Sequence, residues 1–208
     1  MFFVLRHGQT DWNAQMRLQG STDIPLNDTG REQARVAARF LADQGITRIV
    51  ASPLIRAYET ANIVGRALDL PVITDGRLTE RHFGIFEGLT IDEVEGHRRE
   101  MLAHMNPDLD IDGKHYPHNA ERLPAVIERV RAAVEDHASG ETIPLFVCHG
   151  IPFRAIARVY LGEMYSSPNA CPVRYARQGD TWTMTGLDPD NPPLHGAFFK
   201  GPTTMGRI

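Results

Sequence analysis

Cysteine is scarce in this chain: Cys148 and Cys171 are the only two among 208 residues, and they lie far apart. Two such thiols form neither a disulfide framework nor a zinc site, so a reducing cytoplasm is the expected compartment. Long apolar runs are missing too. The opening Phe2-Phe3-Val4-Leu5 stops at Arg6, too short for a signal-peptide core or a bilayer span, and no membrane partner is expected. Basic charge is not in excess either. The 22 basic residues face 26 acidic ones, giving a net charge of −4 and a pI of about 6.1. That balance argues against a nucleic-acid-binding protein, which clusters basic charge on one face. Runs of like charge, internal repeats and low-complexity linkers are also lacking.

With 42% apolar residues in 208, the chain can bury a core unaided. Short apolar segments at 2–7, 46–51, 71–74 and 142–148 read as strands, with two more at 171–177 and 180–185. Between them lie helical patterns. One spans 30–43, capped by Asp28 or Thr29, with Ala34, Ala37, Ala38 and Leu41 on one face. Ser52-Pro53 reads as the N-cap and first position of a helix to Leu68, with Leu54, Ala57, Tyr58, Ala61, Val64 and Leu68 inward. Residues 121–137, with Leu123, Val126, Ile127, Val130 and Val134 at helical spacing, give another, and 151–161 a fourth. The polar stretches 9–29 and 78–88 read as irregular, 90–104 as a weaker helix, and 106–119 as a loop. Strands alternating with amphipathic helices predict an α/β three-layer sandwich, with a mostly parallel central sheet and helices on both faces. A single domain over 1–186 is expected, with a helical or loop insertion at about 88–120 and an extended tail over 187–208.

Two strands end alike, in Arg6-His7-Gly8 and Cys148-His149-Gly150. Ligands of open α/β sheets bind outside the carboxyl ends of the strands, so neighbouring strands would bring both imidazoles into one crevice. Each glycine removes a side chain where a ligand approaches the backbone. Either histidine alone reads better as a buried ring bonded to nearby carbonyls, and only the neighbouring arginines shift that balance. Arg6 adjoins His7, and Arg56 falls in the first turn of a helix, where a cation opposes the helix dipole unless an anion is present. Guanidinium forks match phosphate oxygens in pairs.

In order along the chain stand Arg6-His7-Gly8-Gln9-Thr10-Asp11-Trp12-Asn13, Leu18-Gln19-Gly20, Asp23-Ile24-Pro25-Leu26 and Gly30-Arg31-Glu32-Gln33-Ala34. Ser52-Pro53-Leu54-Ile55-Arg56-Ala57, Glu59-Thr60-Ala61, Leu78-Thr79-Glu80, Phe83-Gly84, Phe86-Glu87-Gly88 and His149-Gly150 with Arg154 follow. This ordered set, over about residues 2–160, resembles the histidine phosphatase superfamily, also called phosphoglycerate-mutase-like.

The resemblance implies that His7 is a phosphorylated nucleophile and that Arg6, Arg56 and His149 hold phosphoryl oxygens. It places Asn13, Gln19 and Gly20 along the phosphate pocket, with Gly150 beside it, and matches Asn169 to an Asn after the last motif. Glu80 is the implied proton donor; Glu87 competes for that role or is a structural carboxylate. A small phosphorylated metabolite is the implied partner, with no metal and no cofactor, and a homodimer is left open. Phosphomonoester hydrolysis is the expected activity. A cofactor-dependent phosphoglycerate mutase is the first alternative, because Glu80-Arg81-His82-Phe83-Gly84 resembles the mutases; a non-catalytic phospholigand-binding module is the second.

The family's small Ser before the long helix is replaced by Arg122, which alters the expected rim, while Glu121 reads as a helix-start carboxylate. His115 and His118 have metal-like spacing but no third ligand, and read as solvated. Ala197, Phe198 and Phe199 are expected to pack over the pocket or a partner protomer.

Overall fold

The structure, a computed structural model, describes residues 1–94 and 120–195. Strand β1 (Phe2–Arg6) sends Phe2 and Val4 to one face and Phe3 and Leu5 to the other, all buried. A strand apolar on both sides belongs inside a covered, parallel sheet. It pairs in parallel with β4 (Pro144–Cys148), and β4 pairs in parallel with β2 (Arg48–Ala51) and β2 with β3 (Val72–Thr74). On the other side β1 meets β6 (Val173–Gln178) antiparallel, and β6 makes a hairpin with β7 (Thr181–Gly186). The six-stranded order is β3-β2-β4-β1-β6-β7.

Helices cover both faces. On one, Ala37, Ala38 and Leu41 of α2 (Asp28–Leu41) and Ala57, Ala61 and Val64 of α3 (Ile55–Leu68) pack on Phe3, Leu5, Ile49, Leu145 and Val147. On the other, α4 (Leu123–His137) and α5 (Gly150–Leu161) pack on Phe2, Val4, Val50, Phe146 and Tyr175. The fold is therefore the expected three-layer α/β sandwich, parallel except for the β6–β7 edge.

Several local expectations are corrected. The stretch at 9–29 contains a short helix, α1 (Asp11–Ala14), closed by a reciprocal bond pair between Thr10 and Asn13. Helix α2 is capped by Asn27, whose Oδ1 accepts from Gly30 N–H at 2.9 Å, rather than by Asp28 or Thr29. Helix α3 starts at Ile55, and Ser52 does not cap it. The distant Asp23 does that work, its Oδ1 accepting from Ile55 N–H at 2.7 Å. Tyr58 is 40% exposed, because the buried face of α3 runs through Ala57, Thr60, Ala61 and Val64. Glu121 does not cap α4; both its oxygens accept from Arg129.

The stretch at 78–88 begins and ends in short 3-10 turns, Gly76–Leu78 and Gly84–Phe86. The start of the tail folds back, with β8 (Leu194–His195) pairing antiparallel to β5 (Tyr165–Ser166). Most of the 88–120 insertion, including His115, His118 and residues 95–104 of the expected 90–104 helix, lies outside the described residues, as do Ala197, Phe198 and Phe199. No helix among the described residues is long and apolar enough to cross a membrane.

Candidate active site

Strands β1 and β4 run side by side in register, Arg6 opposite Cys148, so the residues after them emerge level. His7 N–H donates to Cys148 O at 3.0 Å, and the His7 and His149 ring centroids stand 5.1 Å apart. Adjacent parallel strands of equal reach thus bring together two imidazoles separated by most of the chain.

The partners fix which nitrogen of each ring carries the proton. His7 Nδ1 lies 2.7 Å from Gly8 O. A carbonyl can only accept, so Nδ1 bears the hydrogen and Nε2 keeps its lone pair. At His149 the pattern is reversed. Arg56 Nε donates to Nδ1 at 3.2 Å, and Nε2 donates to Ser52 Oγ at 2.7 Å. Both rings are buried, and burial together with the Arg56 charge holds each pKa well below the ordinary histidine value. Both are neutral at physiological pH.

Helix α3 delivers Arg56, fully buried, with NH1 donating to Thr22 O at 2.9 Å and NH2 to Gly20 O at 2.7 Å. With Nε on His149, two of the five N–H groups of this guanidinium are still free among the described residues. Burial draws its pKa down to about 10, still cationic at neutral pH. Arg6, the last residue of β1, donates through NH1 to Ser167 O at 3.0 Å. Its Nε is buried with no acceptor among the described residues. Buried donors are seldom left unmade, and two guanidiniums with N–H groups unused among the described residues, beside two neutral imidazoles, have the chemistry to receive an anion.

Glu80 follows the Gly76–Leu78 turn. One carboxylate oxygen accepts from Arg81 N–H at 2.9 Å and Ile151 N–H at 3.2 Å, the other from Gly150 N–H at 3.0 Å. It thereby occupies the first turn of α5, whose N-cap His149 makes no side-chain cap bond. The residue is half-buried, but its carboxyl is tightly enclosed, and that burial raises its pKa against the opposing pull of Arg81 N–H and Arg56. Glu87 is a different carboxylate. It accepts from Ser21 N–H, Thr22 N–H, Thr22 Oγ1 and Phe83 N–H, and its pKa is lowered even though burial opposes this. It ties the 20–22 loop to the 83–87 loop, as a structural carboxylate does. A Cβ on Gly20, which sits at φ +54°, would lie 2.0 Å from Glu87 Oε1.

A model of the histidine phosphatase superfamily (branch 1) matches residues 2–187. This chain belongs to the histidine phosphatase superfamily. It is 39% identical over 196 residues to Phosphoglycerate mutase-like protein 4 of Arabidopsis thaliana, covering 87% of this chain and 81% of the relative. It is 36% identical over 162 residues to "Probable phosphoglycerate mutase GpmB" of Serratia proteamaculans, covering 77% and 74%. A solved mycobacterial glucosyl-3-phosphoglycerate phosphatase with VO3 superposes with a TM-score of 0.75 at 28% identity, covering 88% of this chain and 96% of that one.

In this superfamily member the expected residues gather at one end of the sheet. Asn13 Oδ1 accepts from Thr10 N–H and from Asn169 Nδ2, which also donates to His7 O at 2.9 Å. The amide of Asn13 therefore keeps its NH2 as the available end. Gln19 is buried, and its Oε1 has no partner among the described residues. Gly20 and Gly150 take part through their backbones.

His149 differs from expectation in one respect. Both its nitrogens already have protein partners, so direct contact with a phosphoryl oxygen requires one of those bonds to exchange. Two residues had no expected part in the site. Ser52 holds His149, and Thr60 Oγ1 accepts from Gly8 N–H at 3.0 Å while donating to Arg56 O at 2.7 Å. Both stand in family-like blocks, a signal that does not say what they touch.

Proposed function

We propose that this chain is a phosphomonoester hydrolase that works through a phosphohistidine on His7 and acts on a small phosphorylated metabolite. The observation that carries this reading is the fixed His7 ring. Its Nδ1–H is bound to Gly8 O, and among the described residues its Nε2 lone pair has no partner, next to two guanidiniums with donors unused there.

In the first step, Nε2 of neutral His7 attacks phosphorus in line with the ester oxygen. The N–P bond forms as the P–O ester bond breaks, and the leaving alkoxide takes a proton from Glu80. In the second step, water gives a proton to Glu80 and attacks the phosphohistidine, releasing phosphate and restoring His7. Dividing one difficult displacement into two easier ones is the advantage of covalent catalysis. Arg6 and Arg56 supply fixed positive charge for the developing phosphoryl charge, so no metal is needed for that purpose. Glu80 must hold a proton when substrate is bound. Its enclosure already raises its pKa, and an adjacent phosphate dianion raises it further by like-charge repulsion. Asn13, Gln19 and the backbone of Gly20 would line the phosphoryl pocket, and His149 would act chiefly through Arg56.

The names of the relatives support a second reading, a phosphoglycerate mutase, and narrow the substrates worth testing to phosphorylated glycerates and their glycosides. Incubation with 3-phosphoglycerate, with and without bisphosphoglycerate, separates the two. Phosphate release supports the hydrolase, whereas isomerisation without release supports the mutase. A phospholigand-binding module would be protected by phosphate against heat and would turn over neither that substrate nor an aryl phosphate.

A further inference from the structure

The proton on His7 Nδ1 is held by the carbonyl of one peptide unit, Gly8–Gln9. The N–H of that same unit, belonging to Gln9, donates to Oε1 of Gln33 at 2.9 Å. Gln33 stands one turn into α2, and the start of this helix is pressed against the nucleophile loop. A Cβ on Gly8 would lie 2.3 Å from Gly30 O, and one on Gly30 would lie 2.1 Å from Gln9 O. The next carbonyl, Gln9 O, accepts from Asn27 N–H at 3.1 Å, so the unit is clamped on its far side as well.

We infer that Gln33 is a positioning residue for the nucleophile. By accepting from Gln9 N–H it holds and polarises the Gly8 carbonyl, which keeps the proton on Nδ1 and the lone pair on Nε2. The chain of bonds runs from His7 Nδ1–H to Gly8 O, across the peptide, and from Gln9 N–H to Gln33 Oε1. An amide whose N–H is engaged has a more electron-rich carbonyl, so each bond strengthens the other. The side chain required is one with an acceptor at the end of a straight stem, reaching from a helix to a loop it already touches. The catalytic consequence rests on the phosphohistidine reading; the tautomer consequence does not.

The test compares Gln33→Met and Gln33→Ala, which remove the acceptor, with Gln33→Glu, which keeps an oxygen there. Nitrogen NMR of the His7 ring reads the tautomer directly, in the absence of any substrate. Both acceptor-less variants are expected to lose the pure Nδ1–H form, and kcat for an aryl phosphate should fall about tenfold with KM little changed, as for other lost second-layer partners. Gln33→Glu should retain the tautomer and most of kcat. An unchanged His7 tautomer in both acceptor-less variants overturns the inference, as does loss of it in Gln33→Glu to the same degree. If the unaltered protein turns over no phosphomonoester, the phosphohistidine reading fails, and the ring spectrum still decides the role of Gln33.

Discussion

Arg56 donates through Nε to the bare Nδ1 of His149, 3.2 Å away, so a permanent cation and a titratable ring share one hydrogen bond. Such a bond exists only while His149 is neutral. The charge of Arg56 also acts on His7, whose pKa is lowered by burial first and by Arg56 next.

Because both histidines have folded-state pKa values below the unfolded one, the unfolded chain takes up more protons as acid is added. Stability from each ring is therefore complete above the unfolded value of about 6.5 and declines as pH falls below it, by up to about 1.4 kcal/mol per pH unit per ring. Thermal unfolding of the unaltered protein should show Tm falling between pH 7 and 5. In His149→Gln the slope over that interval should be shallower, whatever the absolute Tm. Asp75, held at about 2 chiefly by Arg77, loses its contribution only at much lower pH and does not obscure the comparison. Glu80, with its pKa raised, acts in the opposite sense and is common to both proteins.

Replacing Glu80 by Gln should slow turnover most for esters with poor leaving groups and least for an activated aryl phosphate, because only the former need the proton. Rates across a series of aryl phosphates of graded leaving-group pKa check this. Equal loss across the series would remove Glu80 from the acid role and leave it as the cap of α5.

Glu87→Gln gives the contrasting pattern. Its oxygens tie the 20–22 loop, which in turn receives two donors from Arg56. The expected outcome is a lower Tm and a rate reduced to a similar degree for every leaving group, measured on the same series.

Gly30→Ala places a methyl group against the Gln9 carbonyl at a distance no real contact adopts. Either the loop after His7 or the first turn of α2 must move. A loss of roughly 10²-fold in kcat, the scale that a misplacement of about 1 Å can cause, is expected with the overall circular dichroism preserved. An unchanged kcat would show that the loop is not held in place by this contact.

Much of this arrangement was legible in the sequence for a simple reason. Strand ends are marked by where apolar runs stop, and two runs stopped at His-Gly, so the meeting of His7 and His149 followed once β1 and β4 were neighbours. The layers were legible because Ala34, Ala37, Ala38 and Leu41 recur at helical spacing. What could not be read were bonds between residues remote in sequence. The cap of α3 comes from Asp23 rather than the adjacent Ser52, and Ser52 instead faces His149 across the sheet end. Local propensity favours Ser as a cap, but it does not register that a buried imidazole 97 residues away takes the same hydroxyl. The partners of Glu80 and Glu87 were likewise out of reach of the sequence: the first accepts from the N–H groups that start α5, the second from those of the 20–22 loop.

The most direct test is to quench the protein during turnover of a phosphomonoester and locate the phosphoryl group by peptide mass spectrometry under alkaline conditions. Phosphate on the peptide containing His7, labile to acid and missing in His7→Ala, is the predicted result. Steady turnover with label on another residue, or turnover that persists in His7→Ala, would contradict the mechanism.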